Sequence, residues 1–290
     1  MDTGKRTSDK ELWDAFEAYS ESKKAGKEVP GMTQETIAVT GKGGTGKTTF
    51  TAIALKLLIS QGRHPLIIDA DPPTSLALAL GIGSVPTVGD YRRRLIEDPA
   101  EKRKIGDRHM RDVLIEEALC EQPDYSFLAI GRAEGPGCYC GINELLKYGI
   151  ESLAERYELT LVDCEAGIEQ INRRVLGSVD TLLIISDPTI KGLQTAAHLR
   201  RIATDYGVEG AFRIRLILNR VEDGASELLE KVGELGLEPA GTIPLDRNVS
   251  DFDRAGRPIL ELPEDAPSLR AVSEILVRLG FWDVSVGDGD

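Results

Sequence analysis

A glycine-rich segment early in the chain contains the residue types that bind phosphate. It reads GKGGTGKT and fits the spacing G-x-x-x-x-G-K-[ST]. Glycines let backbone N–H groups approach phosphate oxygens without clashes from Cβ atoms. In such a loop the lysine, Lys47, reaches the β- and γ-phosphates, and the following hydroxyl, on Thr48, binds Mg²⁺. The predicted nucleotide-binding residues of this segment are Gly41, Gly43, Gly44, Thr45, Gly46, Lys47, Thr48 and Thr49.

Both neighbours of this loop have the character that phosphate binding requires. The preceding residues Thr36–Thr40 are apolar and β-rich, and Thr48–Ser60 has a helical pattern. A helix that begins at a phosphate loop adds the partial positive charge of its N-terminus to the site. The order strand, glycine-rich loop and helix is therefore the context expected for nucleotide binding.

Lys42 is a second lysine in the loop, and an ordinary phosphate loop does not require it. With this residue, GKGGTGKTT resembles the deviant Walker A motif of the MinD/ParA/nitrogenase-iron-protein class of ATPases. In that class the extra lysine reaches the nucleotide of the facing subunit. The resemblance implies an ATP hydrolase that works as a homodimer, with ATP or ADP and Mg²⁺ as its cofactors.

The same resemblance assigns roles to two acidic motifs that follow predicted strands. IIDADP is similar to switch I of the class, which implies that Asp69 lies near Mg²⁺ and that Asp71 orients the attacking water. LVDCEAG resembles a Walker B strand that runs into switch II. It implies that Asp163 holds Mg²⁺ and that the Gly167 N–H senses the γ-phosphate, although an Asp in this place is also a common helix N-cap. Asn219 resembles the residue that reads adenine. The implied catalytic residues are Lys42, Lys47 and Asp71.

A pair of cysteines, Cys138 and Cys140, has the C-x-C spacing of a soft metal site. Thiolates select zinc, copper(I), nickel or iron–sulfur centres. Two ligands rarely complete a site, because structural zinc takes four. If two copies of the chain meet across a two-fold axis, however, they supply four thiolates. The spacing suggests a metal bound between subunits, while incidental or buried cysteines remain the alternative.

The motif EGPGCYC, together with DCEAGIEQINRR, resembles the CooC family of nickel-insertion ATPases of carbon monoxide dehydrogenase, which are related to AcsF accessory proteins. The likeness covers roughly residues 33–280. In that family the C-x-C cysteines of two subunits bind Ni²⁺ or Zn²⁺ at the dimer interface. The resemblance implies that Cys138 and Cys140 are metal ligands and that the client is carbon monoxide dehydrogenase or a related nickel enzyme. Pro73 departs from the family pattern, which usually has Asn there.

Three other functions remain open at this level. A reductase resembling the nitrogenase iron protein would hold a [4Fe–4S] cluster with thiolates, although that group does not use an adjacent C-x-C. A switch ATPase resembling MinD or ParA needs no such cysteines, and MinD-like proteins end in a basic amphipathic helix where this sequence ends in FWDVSVGDGD. A small-molecule ligase or kinase could use the same phosphate loop. Of the other two cysteines, Cys164 is expected to be buried or to lie near switch II, and Cys120 lies in a helix-like stretch.

From Thr36 onward the pattern alternates between strands and helices, which predicts a single α/β, doubly wound, mostly parallel sheet. The predicted strands are Thr36–Thr40, Pro65–Asp69, Ser126–Ile130, Leu159–Asp163, Thr181–Ser186 and Phe212–Leu218. The predicted helices are Thr48–Ser60, Ile142–Arg156, Ile168–Leu176, Gly192–Tyr206, Ala225–Leu235 and Ser268–Leu279. Residues 1–31 are expected to form a separate amphipathic helix and linker. The ATPase domain is expected to span 32–290, with the C-x-C loop near 134–141.

Charge and composition exclude several classes of protein. The net charge is −13, which argues against a nucleic-acid binder because such proteins neutralise phosphates with basic side chains. No stretch approaches the roughly 20 apolar residues of a membrane span. The first residues lack the apolar core of a signal peptide. We therefore expect a cytoplasmic protein with no nucleic-acid or membrane partner.

Overall fold

The structure is a computed structural model that describes residues 34–98, 100, 109–132, 140–165, 179–206, 213–222 and 226–281. The chain divides into two units, Met1–Gln34 and Glu35–Asp290. The elements described below belong to the second unit. The predicted N-terminal helix and linker (1–31) and the predicted helix Ile168–Leu176 lie outside the described residues.

Strands and helices alternate along the described chain. The first elements are β1 (Glu35–Gly41), α1 (Lys47–Ser60), β2 (Leu66–Asp69), α2 (Ser75–Leu80), α3 (Val88–Glu97), α4 (Met110–Ala118), β3 (Leu119–Glu121) and β4 (Ser126–Ala129). The next are α5 (Cys140–Leu153), a 3₁₀ turn (Ala154–Arg156), β5 (Leu159–Asp163), β6 (Thr181–Ser186) and α6 (Ile190–Tyr206). The last are β7 (Arg213–Val221), α7 (Ser226–Glu234), β8 (Pro239–Pro244), α8 (Arg247–Ala255), a 3₁₀ turn (Ile259–Glu261) and α9 (Pro267–Leu279).

The strands form one sheet in the order β3-β4-β2-β5-β1-β6-β7-β8. Neighbouring strands are parallel except for β3, which runs antiparallel to β4. β1 lies between β5 and β6: the chain first runs through the strands on one side of β1, ends there with β5, and then continues through β6, β7 and β8 on the other side. In such a sheet ligands bind at the carboxyl ends of the strands, beside the point where the winding reverses. The predicted doubly wound, mostly parallel α/β sheet is confirmed.

Helices cover both faces of the sheet, which is why most strands are apolar without alternation. Within β1, Ala38 faces one hydrophobic cluster, whereas Ile37 and Val39 face the other. α1 contacts β1, β5 and α9, and its Phe50 and Leu58 are almost fully buried. Each such side chain contributes about 1.5–3 kcal/mol when it is fully buried. The helix that follows the glycine-rich loop is therefore fixed firmly on the sheet.

Two strands and several helices were not predicted, and one residue was misplaced. Cys120 lies in β3 and not in a helix, because this short edge strand pairs its backbone with β4 and needs no apolar alternation. β8 was missed because its sequence, PAGTIP, contains two prolines and a glycine; it lies at the sheet edge, where proline is tolerated. The helices that were not predicted are α2, α3, α4 and α8. Among the described helices, none has the length and apolar character of a membrane span.

Candidate functional site

The loop between β1 and α1 has a backbone that only glycine adopts without strain. Gly44 and Gly46 have φ angles of 77° and 93°, which lie in the left-handed region. Gly41 packs so closely on β6 that a Cβ atom there would overlap the Ile185 carbonyl oxygen. A Cβ atom on Gly46 would overlap the side-chain nitrogen of Asn219. These glycines therefore permit both the turn and its close contact with neighbouring strands.

Lys47, Thr48 and Asp163 meet where α1 begins. The Thr48 hydroxyl donates to Asp163 Oδ2 at 2.7 Å. The other oxygen, Asp163 Oδ1, is buried and accepts no hydrogen bond from the described residues. Burial raises the pKa of Asp163 to about 7. The hydrogen bond from Thr48 and the positive charge of Lys47 lower this pKa but do not cancel the effect of burial. A buried carboxylate oxygen without a donor, next to a hydroxyl oxygen, suits a hard divalent cation.

Asp69 adds a second acidic group to this site. It is fully buried at the end of β2, and its register partner in β5 is Asp163. Its two oxygens accept from the backbone N–H groups of Asp71 (3.0 Å) and Leu76 (3.1 Å). Burial and then the charge of Asp163 raise the pKa of Asp69 to about 8. Two buried acids with raised pKa values, together with the Thr48 hydroxyl, fit Mg²⁺, which supplies positive charge for phosphate oxygens.

Asp71 and Lys47 face the same region. Burial raises the pKa of the Asp71 carboxyl, and the positive charge of Lys47 lowers it. Lys47 is itself buried, and its Nζ donates to the Lys42 carbonyl oxygen at 3.4 Å. Asp71 is half-buried, in contrast to the fully buried Asp69. A partly exposed carboxylate near the phosphate-binding lysine can accept a proton from a water molecule.

Asn219 makes two hydrogen bonds to backbone groups, one of them in the glycine-rich loop. Its Nδ2 donates to the Thr45 carbonyl at 2.7 Å, and its Oδ1 accepts from the N–H of Arg220 at 2.9 Å. A side-chain amide has two N–H donors and an oxygen with two lone pairs. One donor and one lone pair are thus left, which is the complement of the N6/N7 edge of adenine. The geometry is compatible with the predicted adenine contact.

Lys42, the extra lysine of the loop, is paired within its own chain. Its Nζ lies 3.5 Å from Asp187 Oδ2, and the two side chains are 40% and 29% exposed. Asp187 follows β6 and also accepts at Oδ1 from the Thr189 hydroxyl, at 2.6 Å. The pairing of Asp187 with Lys42 was not predicted from the sequence. The position of Asp187 directly after a central strand was the available indication.

Several predicted residues cannot be placed. Gly167 and Cys138 lie outside the described residues, and of Cys140 only its backbone position, as the first residue of α5, is described. Cys164 is fully buried as predicted, and burial raises the pKa of its thiol. Within the described ranges, no group of three or more His, Cys, Asp or Glu side chains could hold a metal ion. The proposed thiolate site therefore stays a prediction.

Comparison with known proteins supports nucleotide binding by this chain. The sequence model of CbiA, the CobQ/CobB/MinD/ParA nucleotide binding domain, matches residues 36–259. An ATP-binding protein of Methanocaldococcus jannaschii is 36% identical over 251 residues, 84% of this chain and 97% of that protein. The carbon monoxide dehydrogenase accessory protein CooC of Rhodospirillum rubrum is 30% identical over 232 residues, 76% and 87% of the two chains.

A solved structure agrees with the fold. The septum site-determining protein MinD of Pyrococcus horikoshii, complexed with Mg-ADP, has a TM-score of 0.62 with this chain. It is 21% identical, and the match covers 88% of this chain and 98% of that one. At this level of identity the likeness supports the arrangement of strands and helices.

Proposed function

The chain belongs to the CbiA family of nucleotide-binding domains and is a P-loop ATPase, and we propose that its ATP cycle delivers nickel to an enzyme. In this proposal two copies form a homodimer that binds Ni²⁺ or Zn²⁺ through Cys138 and Cys140 of both subunits. The client is carbon monoxide dehydrogenase or a related nickel enzyme. The observation that carries the proposal is the 30% identity with CooC, together with the C-x-C motif of this sequence.

Sharing a metal between subunits gives a physical reason for coupling ATP to metal release. A site with half its ligands on each subunit has an affinity that depends on the dimer equilibrium. ATP binding closes the dimer and assembles the four thiolates. Hydrolysis removes the γ-phosphate contacts of Lys42 and Gly167, with Asp71 orienting the water and Lys47 holding the phosphates. The interface then loosens and the metal can pass to the client.

The described backbone supports a short route between the ATP site and the cysteine loop. β2 and β4 are parallel neighbours, and the Ile130 N–H donates to the Asp69 carbonyl at 2.9 Å. Ile130 directly follows β4, and the chain then continues through the C-x-C motif into α5. A displacement of switch I at Asp69 can therefore be transmitted through one hydrogen bond to the start of this loop.

The decisive test is an anaerobic Ni²⁺ titration of the metal-free protein, followed by its mass on a sizing column. We expect one metal per two chains, a thiolate charge-transfer band, and a dimer that requires the metal or ATP. The double variant Cys138→Ser/Cys140→Ser should lose the metal and the band. Cys120→Ser, which changes a cysteine in the edge strand β3, is the matched control and should behave as wild type.

Two results would contradict the metal-delivery proposal. One is Ni²⁺ binding that persists in the double variant, and the other is an ATP-induced dimer that takes up no metal in wild type. The second result favours a switch ATPase similar to MinD or ParA. A brown protein with a visible iron–sulfur band after anaerobic purification would favour the reductase alternative instead.

The Lys42–Asp187 pair allows a prediction about dimer formation. If Lys42 must reach the facing nucleotide, Asp187 competes for it in the single subunit. A surface pair contributes up to about 1 kcal/mol, so Asp187→Asn should lower the ATP concentration for half-maximal dimer up to about fivefold. The amide oxygen can still accept from the Thr189 hydroxyl. Sedimentation velocity against ATP concentration measures the shift. Adding Lys42→Ala should abolish the gain, and an unchanged or higher midpoint in Asp187→Asn would refute the competition.

A further inference from the structure

The end of β7 contains an unusual backbone turn beside the phosphate loop. Arg220 has a φ of 58°, a left-handed conformation that is costly for a residue with a side chain. The register between β7 and β8 shifts between Asn219 and Val221, at this same point. Among the described residues the other non-glycine residue with positive φ is Thr74. Such strain persists only where the surrounding contacts impose it.

Arg220 and Asn219 contact two successive carbonyl groups of the phosphate loop. The Arg220 guanidinium donates from Nη1 to the Gly44 carbonyl at 3.0 Å. Asn219 Nδ2 donates to the next carbonyl, that of Thr45, at 2.7 Å. The left-handed turn also places the Arg220 N–H on Asn219 Oδ1, which fixes the orientation of that amide. The strained residue thus acts on the loop twice, through its side chain and through its backbone.

Fixing these carbonyls fixes the N–H groups that bind phosphate. A peptide unit is planar, so the direction of a carbonyl sets the direction of the N–H that follows it. The units after Gly44 and Thr45 are both held in this way. The N–H of the first unit, on Thr45, also donates to the Lys42 carbonyl oxygen at 3.4 Å, a long hydrogen bond that a phosphate oxygen can replace. Gly44 has a left-handed φ and no atom lies within 4 Å of the place where its Cβ would be. Gly44 itself therefore has no side-chain packing, and the guanidinium restrains its carbonyl in addition to the internal hydrogen bond from the Thr45 hydroxyl to the Lys42 carbonyl, at 2.8 Å.

We propose that Arg220 is a positioning residue for nucleotide binding: it holds the Gly44 peptide in the phosphate-receptive orientation. The proposal is independent of nickel, since it concerns only the ATPase site. Arg220 also connects the part of the site that binds the phosphates with the part that binds the base. The same turn that restrains the phosphate loop orients Asn219, whose remaining donor and lone pair face no described partner and suit adenine.

Arg220→Gly separates the two actions of the residue. Glycine adopts a φ of 58° without strain and keeps the backbone N–H for Asn219, but it removes the guanidinium. We expect the melting temperature without nucleotide to stay the same or to rise, since the strain is gone. The Kd for Mg-ADP and Mg-ATP, measured by titration calorimetry, should increase about tenfold, because one charge-assisted hydrogen bond is lost. Turnover at saturating ATP should stay within about twofold of wild type, because Arg220 restrains binding only.

Three further variants complete the test. Arg220→Lys, which can still donate to the Gly44 carbonyl, should restore most of the affinity. Arg201→Ala removes an exposed arginine from the part of α6 remote from the carboxyl edge of the sheet, and it should bind nucleotide as wild type does. The preference for ATP over GTP should survive in Arg220→Gly and be lost in Asn219→Ala.

Three outcomes would overturn the proposal. The first is wild-type affinity in Arg220→Gly, which would mean that the guanidinium contact is incidental. The second is a fall in melting temperature that parallels the fall in affinity, which would assign Arg220 a structural role. The third is a loss of the ATP preference in Arg220→Gly, which would place its effect on the base and not on the phosphates.

Discussion

Gly46→Ala is expected to abolish most nucleotide binding while the protein still folds. A methyl group at residue 46 would overlap the Asn219 side-chain amide, which must then leave the Thr45 carbonyl. The φ of 93° adds conformational strain for alanine of roughly 1–2 kcal/mol. Because the phosphate loop and the adenine contact are disturbed together, we expect the Kd for Mg-ATP to rise about 100-fold or more. Titration calorimetry with Mg-ATP measures this loss.

Two other glycines separate the overlap from the strain. Gly44 lies in the same loop, and its φ of 77° is comparable to that of Gly46. The carbon added by Gly44→Ala would have no atom within 4 Å. Gly62→Ala introduces the same strain beyond the end of α1, far along the helix from the loop. We expect Gly62→Ala to lower the melting temperature without affecting binding, and Gly44→Ala to weaken binding far less than Gly46→Ala. Equal losses in the two loop variants would show that strain, and not the contact with Asn219, controls binding.

The sequence was most informative where local chemistry dictates structure. The strand before Gly41 and the helix after Gly46 were predicted nearly to their observed bounds, because a continuous apolar run and a glycine-rich loop allow few alternatives. The resemblance implied that Asp69 and Asp163 lie near the same Mg²⁺, and the structure brings them into register at the carboxyl ends of β2 and β5, while their binding of Mg²⁺ stays a prediction. Their raised pKa values could not be predicted from the sequence, because they depend on burial by neighbouring strands and on the closeness of the two acids.

The contacts that sequence reasoning missed are made between segments far apart in the chain. Arg220 to Gly44 and Lys42 to Asp187 each join residues separated by more than 100 positions, and neither has a characteristic local pattern. The short strand β3 was missed for the same reason, because an edge strand is defined by its pairing with β4 and not by its own apolar residues. The hydrophobic periodicity of a segment predicts its own secondary structure, but it does not predict which distant residues that segment contacts.

Asp163→Asn is expected to reduce ATP hydrolysis while it stabilises the metal-free protein. Asp163 is fully buried, and one of its oxygens has no donor among the described residues, so its charge is costly unless a cation is present. An amide has the same shape and can still accept from the Thr48 hydroxyl. It cannot supply the negative charge that Mg²⁺ requires. We expect Mg²⁺-dependent ATP hydrolysis to fall about 100-fold or more.

The stability of the metal-free protein should change in the opposite direction. Asp163 has a pKa of about 7 in the folded chain, above its ordinary value of 3.8. Folding therefore favours the protonated acid, and the wild type loses stability as pH rises from about 4 through 7. The asparagine variant lacks this loss. In EDTA, the melting temperature of Asp163→Asn minus that of wild type should therefore be larger at pH 8 than at pH 5.

Asp180→Asn is the matched control for this prediction. Asp180 also has a pKa raised by desolvation, but its side chain is exposed and accepts from the Thr36 N–H at the amino ends of the strands, away from the nucleotide edge. We expect this variant to hydrolyse ATP at the wild-type rate with wild-type dependence on Mg²⁺. Hydrolysis is measured as phosphate release against Mg²⁺ concentration. If Asp163→Asn retains wild-type hydrolysis, Asp163 does not hold the metal and the role falls to Asp69. If both variants lose activity alike, the effect of Asp163→Asn reflects the general loss of a carboxylate with a raised pKa and not the loss of a magnesium ligand.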